Sequence, residues 1–141
     1  MKHIIDNISP SIICICETWL SEPIPLDAVN LPNYNCFRSD YLICDNPSGG
    51  LLVYVHCSIH SSLIKMDGLA LCRGVEFINV SVQLNHNKKF ILGLLYNHPP
   101  VNLEMFESNC SIIEFLLSKN KNFYLCGDFN LNMLDKTKNN L

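Results

Sequence analysis

Two acids in this chain stand where an acid can do chemistry. Glu17 directly follows Ser11-Ile12-Ile13-Cys14-Ile15-Cys16, a short apolar run rich in isoleucine. Asp128 comes two residues after Phe123-Tyr124-Leu125-Cys126, in the segment Gly127-Asp128-Phe129-Asn130. Both apolar runs have the length and composition of buried strands. In open α/β sheets, ligands bind beyond the carboxyl ends of the strands. Two strands ending in acids would bring both carboxylates to one rim, where each is repelled by its neighbour and partly desolvated. A divalent cation relieves both costs. Carboxylates with few other protein ligands suit Mg²⁺, which keeps several waters and accepts phosphate oxygens.

Each residue also has a plainer use. Glu17 is suited to cap a strand end in water, and Asp128 to form an Asx turn with Asn130. Tyr96, at the end of an apolar run, fits half-buried packing with a wet hydroxyl. His98 beside Pro99-Pro100 reads as an exposed loop residue, and Trp19 as a core residue. Asn79-Val80-Ser81 matches a glycosylation sequon, but within a cytosolic strand it carries no meaning.

The elements that must position these residues follow from periodicity. Lys2–Ser9 reads as a short helix with Ile4, Ile5 and Ile8 on one face, ended by Pro10. Ser21–Asn33 holds Pro23, Pro25 and Pro32 and is a loop. Tyr34–Asp40 and Leu51–His56 are strand-like, separated by the turn residues Asp45–Gly50. From Val75 to Leu84 the residues Val75, Phe77, Asn79, Ser81 and Gln83 alternate with Glu76, Ile78, Val80, Val82 and Leu84. This period of two predicts a strand. Asn85–Lys89 turns the chain and Phe90–Tyr96 returns as the second strand of a hairpin. Asn102 is placed to cap a helix that carries Leu103, Phe106, Cys110, Ile113 and Leu117 as a stripe. The last six residues, 136–141, read as a frayed tail. Helix and strand units mixed with a hairpin indicate one α/β or α+β domain.

Composition sets outer limits. The chain has 141 residues, a formal net charge of −3 and 48% apolar residues, enough for a core. There is no basic stripe to hold nucleic acid by charge alone. The longest unbroken apolar run, Phe90–Tyr96, falls far short of the roughly 18–20 residues of a membrane-spanning helix. No signal-peptide pattern opens the sequence, so an intracellular location, cytoplasm or nucleus, is expected. The eight cysteines are then expected as free, largely buried thiols.

Taken together the segments have a precedent. Ile12–Leu20, ending Glu17-Thr18-Trp19-Leu20, resembles a signature of the endonuclease/exonuclease/phosphatase superfamily, above all the endonuclease domain of non-LTR (LINE-type) retrotransposons. Gly49–Val55, Leu94–Pro100 and Leu125–Asn130 match in the same order. The resemblance implies a four-layer α/β/β/α sandwich of the DNase I-like fold. It implies that Glu17 binds the catalytic Mg²⁺ (or Mn²⁺), Tyr96 hydrogen-bonds the scissile phosphate, Asp128 orients or deprotonates the attacking water, and Asn130 helps place both. The implied reaction is nicking of target DNA to prime reverse transcription. Its partners would be DNA and the reverse transcriptase domain of a parent polyprotein, with no membrane.

The chain also departs from that pattern. The family's first strand, with its asparagine, and its later aspartate and Ser-Asp-His have no counterpart here. Asn97 stands where the family usually carries an arginine. The resemblance therefore implies residues 1–141 to be a partial domain holding most of one sheet and only the opening of the other. That fragment is expected to be marginally folded and inactive alone. A phosphatase of the same superfamily and a non-catalytic scaffold remnant are the alternatives.

Overall fold

The computed structural model describes residues 7–41, 48–85, 88–119 and 122–131. Strands β1 (Ile12–Cys16), β2 (Tyr34–Ser39) and β3 (Leu51–His56) form an antiparallel sheet in the order β1-β3-β2. Strands β4 (His60–Leu63), β5 (Val75–Asn85), β6 (Lys88–Asn97) and β7 (Phe123–Asp128) form a second sheet in that order. The β5–β6 hairpin is antiparallel and β6–β7 is parallel. The parallel pair needs a crossover, which helix α1 (Leu103–Lys119) supplies. Asn102 caps this helix as its sequence predicts, its Oδ1 accepting the Met105 N–H at 2.9 Å. Asn7 and Ile8 are helical; the rest of the expected N-terminal helix, much of the Asp45–Gly50 turn, and the tail lie outside the described residues.

The two sheets pack face to face. Leu51, Val53 and Val55 of β3 meet Ile78, Val80 and Val82 of β5 and Leu92, Leu94 and Tyr96 of β6 in one buried cluster. Ile12, Cys14 and Cys16 of β1 pack on it from one side, while Ile13 and Ile15 turn outward to a second cluster with Leu52 and Tyr54. Strict alternation thus gives each central strand two buried faces. Among the described residues, three strands of one sheet and four of the other thus cover each other's inner faces.

Three expectations are corrected. The run Ile12–Cys16 is half-buried throughout and, among the described residues, lies at the end of its sheet rather than at its centre. Helix α1 buries Met105, Ser108, Asn109, Ile112 and Leu116. The stripe of Leu103, Phe106, Cys110, Ile113 and Leu117 faces outward instead. Both rows have helical spacing, and the contact is chosen by Val75, Phe77, Ile91 and Leu95 on the sheet, which receive Met105, Ile112 and Leu116. Trp19 is 59% exposed and takes no part in the core. The expected loop Ser21–Asn33 contains one short 3₁₀ turn, Leu26–Val29. Arg38 clamps this loop, donating to the carbonyls of Ser21 and Ile24 while pairing with Asp40.

Candidate functional site

The candidate site grows from one cross-strand row. Glu76 of β5 stands opposite Tyr96 of β6, and Tyr96 pairs in register with Asp128 of β7. Side chains directly opposite on one sheet face are neighbours. Glu76 and Tyr96 share the face that carries Ile78, Val80, Leu92 and Leu94. The row is therefore the last one at the rim of the inner face, where the apolar core gives way to polar groups.

The other sheet brings Glu17 to the same rim. The β1 strand ends at Cys16, whose thiol points to the Leu95 carbonyl at 3.8 Å and receives the backbone N–H of Asp128. The next residue turns over the row, and the Tyr96 hydroxyl hydrogen-bonds the Glu17 carboxylate. Tyr96 is only 5% exposed. Burial raises the pKa of its hydroxyl, and the Glu17 hydrogen bond and the charges of Glu17, Asp128 and Glu76 raise it further. At neutral pH the tyrosine thus keeps its proton and serves as a hydrogen-bond donor. Glu17 and Asp128 themselves are exposed.

Backbone geometry holds Glu17 in place. Its φ is 55° and that of Trp19 is 56°, values a glutamate or tryptophan rarely adopts. The turn is tied down by Thr18 N–H to Gly50 O (3.2 Å) and Trp19 N–H to Gly49 O (2.7 Å). Such strain persists only where surrounding contacts enforce it. Asn130 is also left-handed, at φ 49°. Its N–H donates to Asp128 Oδ1 (3.0 Å), so the Asx turn forms. Its Nδ2 donates to the Asn97 carbonyl (2.6 Å), and Asn97 Nδ2 donates to the Phe129 carbonyl (3.0 Å). Asn97, in the place of an arginine, therefore fixes the Asp128 loop from within, fully buried.

Sequence reasoning missed the next layer. Glu76 is 5% exposed and is held by the Gly50 N–H (2.9 Å) and by His98 Nε2 (2.6 Å). Burial raises its pKa, and those two hydrogen bonds partly offset the rise. His98 is half-buried, stacked on Tyr41 at 4.3 Å and edge-on to Tyr96 at 4.7 Å. The expected exposed loop histidine is thus a partner of a buried acid. The signal for Glu76 was in the alternation: it is the one acid on the Ile78-Val80-Val82 face. Gly49 is required here, since a Cβ on it would lie 1.9 Å from Glu76 Oε1 and its φ is +72°.

The donor set can hold a hydrated cation more readily than a dehydrated one. Among the described residues no three of His, Cys, Asp and Glu are arranged to grip a metal ion by themselves. One or two exposed carboxylates beside a tyrosine hydroxyl match the sparse oxygen set with which Mg²⁺ is bound when water and phosphate complete its shell.

No protein-family model and no curated protein matches the sequence. A search of solved structures does find a neighbour, the human Nocturnin catalytic domain with a bound sulfate anion. The TM-score is 0.67 at 15% identity, over 92% of this chain. The chain has the DNase I-like fold. That is the fold expected from the four ordered segments, and at this identity the likeness is one of fold. The chain spans about half of the neighbour, 55% of its length.

Among the described residues, no helix is long and apolar enough to cross a membrane.

Proposed function

We propose that this chain carries the metal-side half of a phosphodiester hydrolase site, of the kind found in the endonuclease of LINE-type retrotransposons. The observation that carries the reading is the Tyr96 hydroxyl bonded to Glu17, with Asp128 on the adjacent strand. Glu17 would hold Mg²⁺, with Mn²⁺ as a substitute. The ion, when bound, would neutralise charge on the phosphate and the leaving oxygen.

The protein groups have distinct tasks. With Glu17 holding the ion, the Tyr96 hydroxyl would donate its hydrogen bond to a phosphate oxygen and keep its proton. Asp128 accepts a hydrogen bond from the attacking water and takes its proton. Asn130, with one amide hydrogen committed to Asn97, places the water through its remaining polar atoms. Glu76 and His98 keep Tyr96 oriented from behind. The sulfate on the Nocturnin domain supports a phosphate-like anion as the common ligand. Glu-Thr-Trp-Leu favours the nuclease over a phosphatase of the same fold. DNA and a reverse transcriptase domain of a parent polyprotein are the partners this reading requires.

Calorimetric titration with Mg²⁺ tests it. The chain should bind the ion weakly, and Glu17→Ala should remove most of that affinity while the fold persists. Affinity unchanged in Glu17→Ala would leave the scaffold alternative. The isolated chain should leave supercoiled plasmid closed under these conditions.

A further inference from the structure

The chain's single tryptophan sits two residues past Glu17, in a conformation that suits neither its size nor its chemistry. Trp19 is 59% exposed and its φ is 56°. That φ is an outlier for a bulky residue, and glycine or asparagine would make the same turn with less strain. The turn is nevertheless held firmly. The Trp19 N–H donates to the Gly49 carbonyl at 2.7 Å, and the Leu20 N–H to Thr18 Oγ1 at 3.4 Å. Leu20 packs on the cluster of Tyr34, Leu52 and Tyr54. The backbone on either side is therefore anchored. Among the described residues, no ring or cation lies on the indole.

We infer that Trp19 is a stacking platform for an unpaired nucleobase, a nucleotide subsite beside the Glu17 rim. Strain of this kind persists where the surrounding structure enforces it, and it gathers at functional sites. The turn also borders a groove of about 400 Å³ lined by Glu17, Thr18, Leu20, Asn30 and Leu31. That groove leaves room beside Glu17 for the sugar that a bound phosphate carries.

The choice of a nucleobase rests on the phosphodiester reading of Glu17. Two residues of chain span at most about 7 Å, so the indole is rooted close enough to serve a nucleoside joined to a phosphate held there. Every base has a π face, so stacking tolerates any sequence. A base within a duplex is already stacked, and an unpaired one costs least to place on the indole. Charge gives a second reason. The chain has a formal net charge of −3, and Glu17 and Asp128 are exposed at the rim. A grip on the phosphate backbone needs clustered Lys or Arg. Affinity in the absence of the ion must then come from a contact that charge does not supply, and stacking on an exposed indole is such a contact.

The test reads the fluorescence of this one tryptophan while the folded chain is titrated, in EDTA, with a short single-stranded DNA oligonucleotide. A second oligonucleotide of equal length and charge carries no bases. The expected result is saturable quenching by the first strand, weaker quenching by the same strand in a duplex, and none by the abasic strand. With a labelled oligonucleotide read by anisotropy, Trp19→Ala should bind about 5- to 150-fold more weakly, the span of one base stack. Trp19→Phe, which keeps a ring, should lose less. Absence of quenching, quenching by the abasic strand as well, or unchanged affinity in Trp19→Ala would overturn the subsite. Comparison of the two strands on the wild-type chain decides even if a variant fails to fold. EDTA keeps the ion site out of the experiment, so failure here and failure of Mg²⁺ to bind at Glu17 are separate results.

Discussion

Tyr96 and Glu17 come from different sheets and meet at one hydrogen bond, the hydroxyl of the first donating to the carboxylate of the second. Together with the Cys16 thiol on the Leu95 carbonyl and the Gly50 N–H on Glu76, that contact makes one rim of what are two separate sheet edges. It also sets how the rim responds to change.

Tyr96→Phe removes the hydroxyl and keeps the ring. The exposed Glu17 carboxylate can return to water, so the loss should be near the low end for a hydrogen bond to a charged group, about 1.5 kcal/mol by urea unfolding. Removing the packing as well, in Tyr96→Ala, should cost about 3–5 kcal/mol. Equal losses for the two variants would contradict the burial of the ring.

The facing of α1 is testable by neighbours in sequence. Ile112 is fully buried against the sheet and Ile113 is 39% exposed. Ile112→Ala should lower stability by about 2–5 kcal/mol. Ile113→Ala should change it by about 0.5 kcal/mol or less. The reverse order in chemical denaturation would restore the stripe that periodicity alone suggests.

Gly127 sits where β7 passes close to β6. A Cβ there would lie 1.8 Å from the Leu95 carbonyl oxygen, and the residue's φ is +142°. Gly127→Ala must push the strands apart or break the Tyr96–Asp128 register. The expected loss is more than about 2 kcal/mol, seen as a lower urea midpoint. A variant of wild-type stability would mean the parallel pairing is wrong.

Glu76 gives the pH dependence a sign. Its pKa is raised from an ordinary value near 4.5, chiefly by burial. Just above that value the folded chain keeps a proton that the unfolded chain has released. The stability this provides is complete below the unfolded value and is lost as pH rises through the folded one. Urea midpoints measured from about pH 4 to 7 should show this decline in the wild type, and Glu76→Gln should lack it. Parallel curves for the two proteins would contradict the assignment.

Much of this arrangement was legible in the residues. The alternation from Val75 to Leu84 and the return from Phe90 fixed a hairpin that runs from Val75 to Asn97 in space. Leu51–His56 is a strand with the bounds its apolar run suggests. Glu17 and Asp128 do reach one rim. What periodicity could not decide was facing. Helix α1 has two apolar rows, and only the positions of Phe77 and Leu95 select Ile112 over Ile113. The strand β4, His60-Ser61-Ser62-Leu63, has too little apolar signal to be seen and exists by pairing with β5. Glu76 and His98 were hidden for a related reason. They are far apart in sequence, and only the Gly49-Gly50 turn and the β5–β6 register bring them together.

The most direct test of the shared rim is paramagnetic broadening by Mn²⁺ in the amide spectrum of the folded chain. One ion held by Glu17 beside the Asp128 carboxylate should broaden the signals of residues 17–18, 96–98 and 127–130 together, and both Glu17→Ala and Asp128→Asn, which remove negative charge from the rim, should weaken the whole set. Broadening of only one of these segments, or of a set elsewhere that survives both substitutions, would contradict the claim that the two acids serve one site.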